Sequence, residues 1–377
     1  MSRYAIAMTG YRLTPLADSL PSTVPFVGPE TQERQNGRPF RARLGANESV
    51  FGPSPRAVVA LEQASREIWK YGDSTSHDLR EALARAHRVP AENILVGEGI
   101  DGILGNLVRL IVAPGDAVVT SDGAYPTFNY HVAGFGGVLH KVAYIDDHED
   151  PAALFAEAAE VGAKMVYMSN PDNPMGTWHD GAALAHAIDA HLPNDCLLVL
   201  DEAYVEFAPD GTAPEIDPND PRVIRTRTFS KIHGMAGARV GYAIGAPGLI
   251  AAFDKVRNHF GMNRAAQAGA LAALLDTAYT AQTRAAVERA RDRIAEIAAA
   301  HGLTSLPSAT NFVAVDLGGD GALAQRFLTE MNARGVFIRM PGVAPLNRCV
   351  RISCGREDDL DILEEEFGPA LEAARQG

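Results

Sequence analysis

The segment Arg227-Thr-Phe-Ser-Lys-Ile-His-Gly-Met-Ala-Gly-Ala-Arg-Val-Gly-Tyr242 places one lysine among small and hydroxylated residues. A lysine amine condenses with an aldehyde only when it is unprotonated, and Lys231 is the candidate for that reaction. Ser230 and Arg239 could hold a phosphate, the first through its hydroxyl and the second through its planar guanidinium. A Ser-Lys pair alone more often marks a surface lysine at a helix start, so the prediction depends on other segments.

A second segment supplies an acid. Leu197-Leu-Val-Leu200 has the composition of a buried strand and leads directly into Asp201-Glu-Ala-Tyr204. The ligand crevice of an open α/β sheet lies at the carboxyl ends of its strands, so Asp201 is expected there. An aspartate that faces a pyridine ring keeps the ring nitrogen protonated, and such a ring stabilises a carbanion.

A third segment supplies an amide. Met165-Val-Tyr-Met168 is another apolar run, and it leads into the turn Ser169-Asn-Pro-Asp-Asn-Pro-Met-Gly176. The prolines restrict the backbone of this turn, so that the side chain of Asn173 can be aimed. Asn173 and Tyr204 could both hydrogen-bond the phenolic oxygen of a pyridoxal ring. The three segments together favour a site for pyridoxal phosphate.

The chain resembles the fold-type I pyridoxal-phosphate aminotransferases, and most of all their histidinol-phosphate aminotransferase branch. The similarity runs from about Arg43 to the C-terminus, and the lysine segment and the 169–176 turn are its most specific parts. Supporting matches are Leu44-Gly-Ala-Asn-Glu48, Gly52-Pro-Ser-Pro55, Tyr71-Gly-Asp73, Pro114-Gly-Asp116 and Tyr125-Pro-Thr127.

The resemblance implies pyridoxal 5'-phosphate as the cofactor and assigns a role to each matching residue. The candidate catalytic residues are Lys231 as the Schiff-base lysine, Asp201 at the ring nitrogen and Tyr125 stacked on the ring. The other candidate cofactor-binding residues are Gly99, Ile100, Asp101, Asn173, Tyr204, Ser230, Arg239 and, reaching the neighbouring subunit's phosphate, Tyr71. The candidate substrate-binding residues are Asn47, Arg339 and Arg351. No metal ion is expected.

Three segments depart from the family pattern. The family usually has serine or alanine where this chain has Ile100, which offers no hydroxyl to a phosphate, although N–H groups at a helix start could still bind it. Ser49-Val50 replaces the usual Asn-Pro, and Gly72 replaces the usual proline. The last two changes lie near the substrate mouth in the family, so they concern the substrate more than the cofactor.

Two arginines near the C-terminus are candidate substrate ligands. Arg351 alternates with apolar residues in Cys349-Val-Arg-Ile-Ser353, as a strand residue that faces the cleft would. In the family the matching arginine binds the substrate carboxylate, for which the guanidinium fork supplies affinity and orientation. Arg339 occupies the place of a substrate-phosphate arginine. Two positive charges predict a substrate with a second anionic group.

The rival interpretation is a dinucleotide site. Gly97-Glu-Gly-Ile-Asp-Gly102 spells G-x-G-x-x-G directly after the strand-like Asn93-Ile-Leu-Val96, and Asp122 could be the acidic residue that a Rossmann fold also needs. A lone match of this kind is weak, and it leaves Lys231 and Asp201 unexplained.

The predicted reaction is ping-pong transamination between an amino acid or amino-alcohol phosphate, similar to histidinol phosphate, and 2-oxoglutarate. One alternative is an aromatic amino-acid aminotransferase, and another is a pyridoxal-phosphate decarboxylase or lyase of the same fold. A non-catalytic cofactor-binding protein is disfavoured, because Lys231, Asp201 and Arg239 are all present.

Composition excludes several classes of partner. A formal net charge of −13 argues against nucleic acid and anionic membranes. Cys196, Cys349 and Cys354 are too few for a disulfide framework, and no run approaches membrane-spanning length. The few cysteines fit a reducing cytoplasm. The family resemblance, with Tyr71 and the apolar arm, implies a homodimer with shared active sites, whose other partners are an amino donor and a 2-oxo acid acceptor.

The alternation of strand-like and helical segments predicts an α/β fold, a mostly parallel sheet sandwiched by helices, with a smaller α+β C-terminal domain. We expect an N-terminal arm over residues 1–42, a large cofactor-binding domain over 43–245, connecting helices over 246–300 and the small domain over 301–377. The arm is too proline-rich for a helix or a central strand, although Val24-Pro-Phe-Val27 is apolar enough to dock.

Overall fold

The computed structural model describes residues 11–22 and 27–376. In this part of the chain the strands are β1 (Ala42–Arg43), β2 (Ile94–Gly97), β3 (Ala117–Ser121), β4 (Val138–Val142), β5 (Met165–Ser169), β6 (Leu197–Asp201), β7 (Val223–Thr228), β8 (Gly241–Gly245), β9 (Thr304–Ser305), β10 (Phe312–Asp316), β11 (Val336–Phe337) and β12 (Cys349–Ser353). The α-helices are α1 (Pro15–Ser19), α2 (Pro29–Asn36), α3 (Pro55–Ser65), α4 (His77–His87), α5 (Gly99–Ile111), α6 (Pro126–Gly134), α7 (Pro151–Val161), α8 (Gly181–His191), α9 (Pro247–Ala252), α10 (Arg264–Leu275), α11 (Thr277–Ala300), α12 (Gly321–Ala333) and α13 (Glu357–Gln376).

The largest sheet has seven strands in the order β2-β8-β7-β6-β5-β3-β4. Strands β7, β6, β5, β3 and β4 run parallel, whereas β8 is antiparallel to both of its neighbours. Helices separate most of the parallel strands along the chain, because a parallel pair needs a long crossover connection. The predicted α/β fold with a mostly parallel sheet is confirmed.

Helices cover both faces of this sheet, as strand β5 illustrates. Met165 and Tyr167 pack into one core with α5 and α6, whereas Val166 and Met168 pack into a second core with α7 and α8. Successive side chains of a strand point to opposite faces, so a strand that is covered on both sides is apolar throughout. The uninterrupted apolar runs therefore lie in the middle of the sheet.

The C-terminal part of the chain has its own core. Strands β12, β10 and β9 form an antiparallel sheet, and side chains of α11, α12 and α13 pack with it. Ala42 and Leu44 belong to the same core, because β1 pairs in parallel with β11. The chain therefore enters this core before it forms the large sheet, and the proposed four-part division stays a prediction.

The N-terminal arm contains two short helices, so the expectation that its prolines exclude helix is wrong. Helices α1 and α2 begin with Pro15 and Pro29 at their first helical positions. Proline is tolerated there, because the N–H that it lacks has no partner inside the helix. Glu33 pairs with Arg43 at 2.5 Å and anchors α2 to the strand that follows. The predicted docking segment, residues 24–27, lies mostly outside the described residues.

Strand β2 contradicts the dinucleotide interpretation. It lies at the edge of the sheet and pairs with β8 in antiparallel fashion. A Rossmann fingerprint instead follows a parallel strand at the centre of its sheet. The glycines at 97, 99 and 102 therefore serve a different purpose. Within the described residues, no helix combines the length and the apolarity that a membrane crossing would require.

Candidate active site

The three sequence segments that predicted the site meet at one edge of the large sheet. Asp201 is the last residue of β6, and its carbonyl accepts a hydrogen bond of 2.9 Å from the backbone N–H of Asn170, which follows β5. Lys231 lies just beyond Thr228, where β7 ends. Strands β5, β6 and β7 are parallel, so their carboxyl ends share an edge, where a ligand crevice is expected.

Asp201 is a buried carboxylate with two hydrogen-bond donors. The Tyr167 hydroxyl donates to Oδ2 at 2.7 Å, and the backbone N–H of Ala203 donates to Oδ1 at 3.0 Å. Burial raises the pKa of Asp201 to about 6, although both hydrogen bonds and the nearby charge of Lys231 oppose the rise. A protonated ring nitrogen would suit this carboxylate, because a buried anion is stabilised by a cationic partner.

Lys231 contacts two other candidate residues. Its Nζ donates to the backbone carbonyl of Asn47 at 3.1 Å and lies 5.4 Å from the centre of the Tyr204 ring. The Tyr204 hydroxyl accepts a hydrogen bond of 3.0 Å from Nδ2 of Asn47. The structure therefore brings the candidate nucleophile and a candidate partner of the phenolic oxygen together around Asn47.

A cradle for an anion lies between the start of α5 and the loop after β7. Gly99 has φ +77°, and a Cβ there would lie 2.5 Å from Nη2 of Arg239. A Cβ at Gly241 would lie 2.7 Å from the backbone nitrogen of Ile100. Ser230 Oγ accepts from Nη1 of Arg239 at 3.3 Å. Helix N–H groups, a hydroxyl and a guanidinium are phosphate ligands, so these residues fit a phosphorylated cofactor.

The side chain of Ile100 is not part of this cradle. It is buried with Leu95 and Ile103 in the core beneath α5. Its position on the packed face of the helix leaves only its backbone N–H to serve an anion. The absence of a hydroxyl at this position is thus compatible with a phosphate site.

Tyr125 and Asp101 lie side by side at the starts of α6 and α5. The Tyr125 hydroxyl donates to Oδ1 of Asp101 at 3.4 Å, and Nε2 of His131 lies 3.7 Å from the same oxygen. Burial raises the pKa of Tyr125, so its ring stays neutral. A neutral, half-buried aromatic ring is suited to stacking against a flat heteroaromatic ligand.

Arg351 and Asn173 are in contact, and Arg339 lies beside them. Nη1 of Arg351 donates to Oδ1 of Asn173, and its guanidinium lies 5.2 Å from the centre of the Phe312 ring. Burial lowers the pKa of Arg351 to about 10, and its Nε has no hydrogen-bond partner in the described part of the chain. Arg339 pairs with Arg351 through the backbone, and its Nη1 donates to the carbonyl of Val27 at 3.1 Å.

Tyr71 is exposed at the surface of the subunit. Its side chain is 78% exposed, and its ring lies 5.0 Å from that of Phe260, which is also exposed. The hydrogen bonds that connect the other candidates do not extend to Tyr71. A role for Tyr71 in the site of a neighbouring subunit stays a prediction.

Sequence reasoning missed several side chains that hold the candidates in place. The sequence predicts Tyr167 only as part of an apolar strand, although its hydroxyl donates to Asp201. Ser353 in β12 and Asn311 just before β10 both hydrogen-bond Asn47. A tyrosine two residues before the end of a buried strand is a weak signal for such a role, and the contacts to Asn47 leave no local signal at all.

Comparisons with known proteins identify the family. The model of the class I and II aminotransferases matches residues 42–367. The chain belongs to this family. The curated histidinol-phosphate aminotransferase of Anaeromyxobacter is 39% identical over 311 residues, which cover 81% of this chain and 84% of that protein. That of Moorella thermoacetica is 34% identical over 341 residues, or 89% of this chain and 87% of that protein.

A solved structure agrees with this assignment. The histidinol-phosphate aminotransferase from Sinorhizobium meliloti, in complex with pyridoxal-5'-phosphate, superimposes with a TM-score of 0.94 and 51% sequence identity. The match covers 97% of this chain and 99% of that one. The predicted fold-type I transaminase of the histidinol-phosphate branch, dependent on pyridoxal phosphate, is thereby confirmed.

Proposed function

We propose that this aminotransferase moves an amino group between histidinol phosphate, or a closely similar amino-alcohol phosphate, and 2-oxoglutarate. The observation that carries the proposal is the pair Arg339 and Arg351, which are neighbours through the backbone, with Arg351 in contact with Asn173. Both substrates of a ping-pong reaction use one site. A phosphate dianion and a dicarboxylate each suit two guanidinium groups, which bind such anions through their forks.

The residues at the sheet edge fit pyridoxal 5'-phosphate. The Gly99 and Arg239 cradle would hold its phosphate, Tyr125 would face its ring, and Asp201 would pair with the ring nitrogen. When bound, the cofactor supplies an electron sink for the carbon that loses a proton. Asn173 and Tyr204 are the proposed partners of its phenolic oxygen.

Lys231 would hold the cofactor at its aldehyde, and it is the residue that a substrate amine would release. Its freed amine would then carry the substrate α-proton as a general base and return it as a general acid. The Asn47 carbonyl, 3.1 Å from Nζ, keeps the amine at the sheet edge where Asp201 and Tyr204 lie. Arg351 would orient the substrate anion, since burial and an unpartnered Nε leave it in need of one.

We expect Arg339→Ala to discriminate between donors. Loss of one buried charge-assisted contact should cost about 2–5 kcal/mol of binding for histidinol phosphate and glutamate, and little for a neutral aromatic amino acid. The measurement is kcat/KM for a panel of phosphorylated, acidic and neutral donors with 2-oxoglutarate. The matched control is Arg56→Ala, because the Arg56 side chain is 72% exposed. It should leave kcat/KM unchanged for every donor.

Three results of this panel would decide against the proposal. Equal losses for all three donor classes would show that Arg339 does not read a second anion. A product that has lost carbon dioxide would favour the alternative of a decarboxylase. A preference for neutral donors in the wild type would instead favour an aromatic amino-acid aminotransferase.

We also propose a cytoplasmic homodimer with composite sites and with no nucleic-acid or membrane partner. Ile68, Trp69, Tyr71 and Phe260 are large apolar residues that are more than half exposed, as in a protein–protein interface. The same patch carries Tyr71, which the family places in the neighbouring site. The three cysteines are buried free thiols, which supports a reducing compartment.

Hybrid dimers test the shared site. Lys231→Ala and Tyr71→Ala subunits should each be impaired as pure dimers. Mixed and allowed to exchange, they should regain about a quarter of the wild-type activity, because each hybrid contains one site without either defect and half of the dimers are hybrids. No regain, or a fully active monomer in sedimentation, would contradict the composite site.

A further inference from the structure

All the polar groups of Asn47 are engaged within the protein. Its backbone N–H donates to Oγ of Ser353 at 3.0 Å, and Nδ2 donates to the Tyr204 hydroxyl at 3.0 Å. Its Oδ1 accepts from Oγ of Ser353 at 3.1 Å. Its carbonyl accepts from Nζ of Lys231 at 3.1 Å and from Nδ2 of Asn311 at 3.0 Å. Asn47 is only 3% exposed, and each of its polar atoms already has a partner within the protein.

Ser353 decides which way the Asn47 amide points. The Ser353 hydroxyl accepts from the Asn47 backbone, and its own hydrogen has no other acceptor in the described part of the chain. If the amide were reversed, that buried hydroxyl hydrogen would lose its partner, which costs about 1–3 kcal/mol. Nδ2 therefore faces Tyr204, whose hydroxyl acts as the acceptor in this contact. The phenol proton is left to donate elsewhere.

The backbone of Asn47 is also specialised. Its φ of +55° lies in the left-handed region, which asparagine, aspartate and glycine adopt more readily than other residues. In this conformation the carbonyl meets Lys231 while the side chain reaches Tyr204. The partners Ser353 and Asn311, from β12 and the segment before β10, connect this arrangement to the small domain.

We propose that Asn47 is a positioning residue that keeps the Tyr204 hydroxyl a hydrogen-bond donor toward the cofactor and holds the Lys231 amine through its carbonyl. This inference rests on the proposed function, because it requires a cofactor phenolic oxygen beside Tyr204. It replaces the direct contact with substrate that the family resemblance suggests for Asn47.

Two variants at Asn47 separate its side chain from its backbone. Asn47→Asp keeps the shape of the side chain and tolerates positive φ. An ionised carboxylate can only accept hydrogen bonds, so the Tyr204 hydroxyl must donate to it and turn away from the cofactor. Asn47→Gly keeps positive φ and the carbonyl for Lys231 but removes the amide. Each variant is loaded with pyridoxal phosphate, and the pH midpoint of the visible absorption band is measured without substrate.

We expect the pH midpoint to rise by about one to two units in Asn47→Asp. A shift of this size corresponds to the free energy of one hydrogen bond to a charged oxygen. The rise follows because a phenolic oxygen without its donor holds a neighbouring proton more tightly. Asn47→Gly should shift the midpoint less, since Tyr204 stays able to donate to the cofactor.

A double-mutant cycle with Tyr204→Phe isolates the contribution of the hydroxyl. The carboxylate charge that Asn47→Asp introduces acts in both backgrounds, whereas the turned hydroxyl exists only when Tyr204 is present. The Asn47→Asp shift should therefore be clearly smaller in the Tyr204→Phe background. Equal shifts in the two backgrounds would overturn the inference.

The remaining outcomes separate this inference from the proposed function. Both Asn47 variants could show a normal absorption band with the wild-type pH midpoint, together with a raised KM for the donor. That result would overturn the inference but not the proposed function. It would return Asn47 to contact with substrate. A wild-type protein that acquires no visible band would overturn the proposed function and the inference together.

Discussion

Lys231→Ala is expected to lower kcat by about 10⁴-fold, the upper range for loss of a positioned general acid–base, and to abolish covalent capture of the cofactor. Lys231 is the lysine at the sheet edge that contacts Asn47 and Tyr204. Steady-state turnover measures the first effect. Borohydride reduction followed by peptide mass analysis measures the second, because the wild type should carry the reduced cofactor on the peptide that contains Lys231.

Two variants sharpen this test. Lys231→Arg keeps the positive charge but should be as inactive as the alanine variant, because a guanidinium stays protonated and does not condense with an aldehyde. Lys255→Ala changes an exposed lysine in the same part of the chain and should retain full activity. Substantial transaminase activity in Lys231→Ala would remove the central claim.

Asp201→Asn is expected to reduce kcat by about 10²–10³-fold, the range for loss of one electrostatic partner of the reacting group. An amide cannot stabilise a protonated ring nitrogen as a carboxylate does, so the ring becomes a weaker electron sink. The amide can still satisfy its neighbours, because its oxygen can accept from the N–H of Ala203 and its NH₂ group can donate to the Tyr167 hydroxyl. Single-turnover rates of amino-donor oxidation give the size of the loss.

The same substitution should stabilise the cofactor-free protein at neutral pH. Burial raises the folded-state pKa of Asp201 to about 6, so between about pH 4 and pH 6 the native state holds a proton that the unfolded chain has lost. The stability that this proton contributes is present below the unfolded pKa and is lost as the pH rises from about 4 to about 6. A pKa difference of about two units corresponds to about 3 kcal/mol of the free energy of unfolding, and an asparagine at this position avoids that loss.

Denaturant unfolding of the cofactor-free proteins at pH 4.5 and pH 7 checks this expectation. The wild type should lose more stability than Asp201→Asn over this interval, while Asp210→Asn, whose side chain is 98% exposed, should follow the wild type. A variant that is both inactive and less stable at pH 7 would indicate misfolding, and would contradict the assigned role of the carboxylate.

The sequence by itself determined the large sheet and most of the residues that meet at its edge. Apolar runs such as Met165–Met168 predict buried parallel strands, because a strand covered on both faces has no polar side to expose. Since the carboxyl ends of parallel strands lie at one edge, the sequence alone predicts that Asp201, Asn173 and Lys231 converge there.

The apolar pattern does not predict one strand of that sheet. Strand β7 contains Arg225 and Arg227, which both pair with the buried carboxylate of Glu202 at 2.8 Å and 2.7 Å. Charged residues in a central strand contradict the apolar pattern unless their partner is known, and that partner directly follows the neighbouring strand β6. Pairing of this kind depends on the register between strands, which local sequence does not specify.

Only the tertiary structure decided the remaining features of the site. Asn47 depends on Ser353 and Asn311, which are far from it in sequence, so no spacing rule connects them. The glycine motif at residues 97–102 has the same local sequence as a dinucleotide-binding motif. Only the antiparallel pairing of β2 at the edge of the sheet contradicts that interpretation. Local sequence determines which backbone conformations and buried faces are available, whereas long-range pairing determines which polar side chains finally meet.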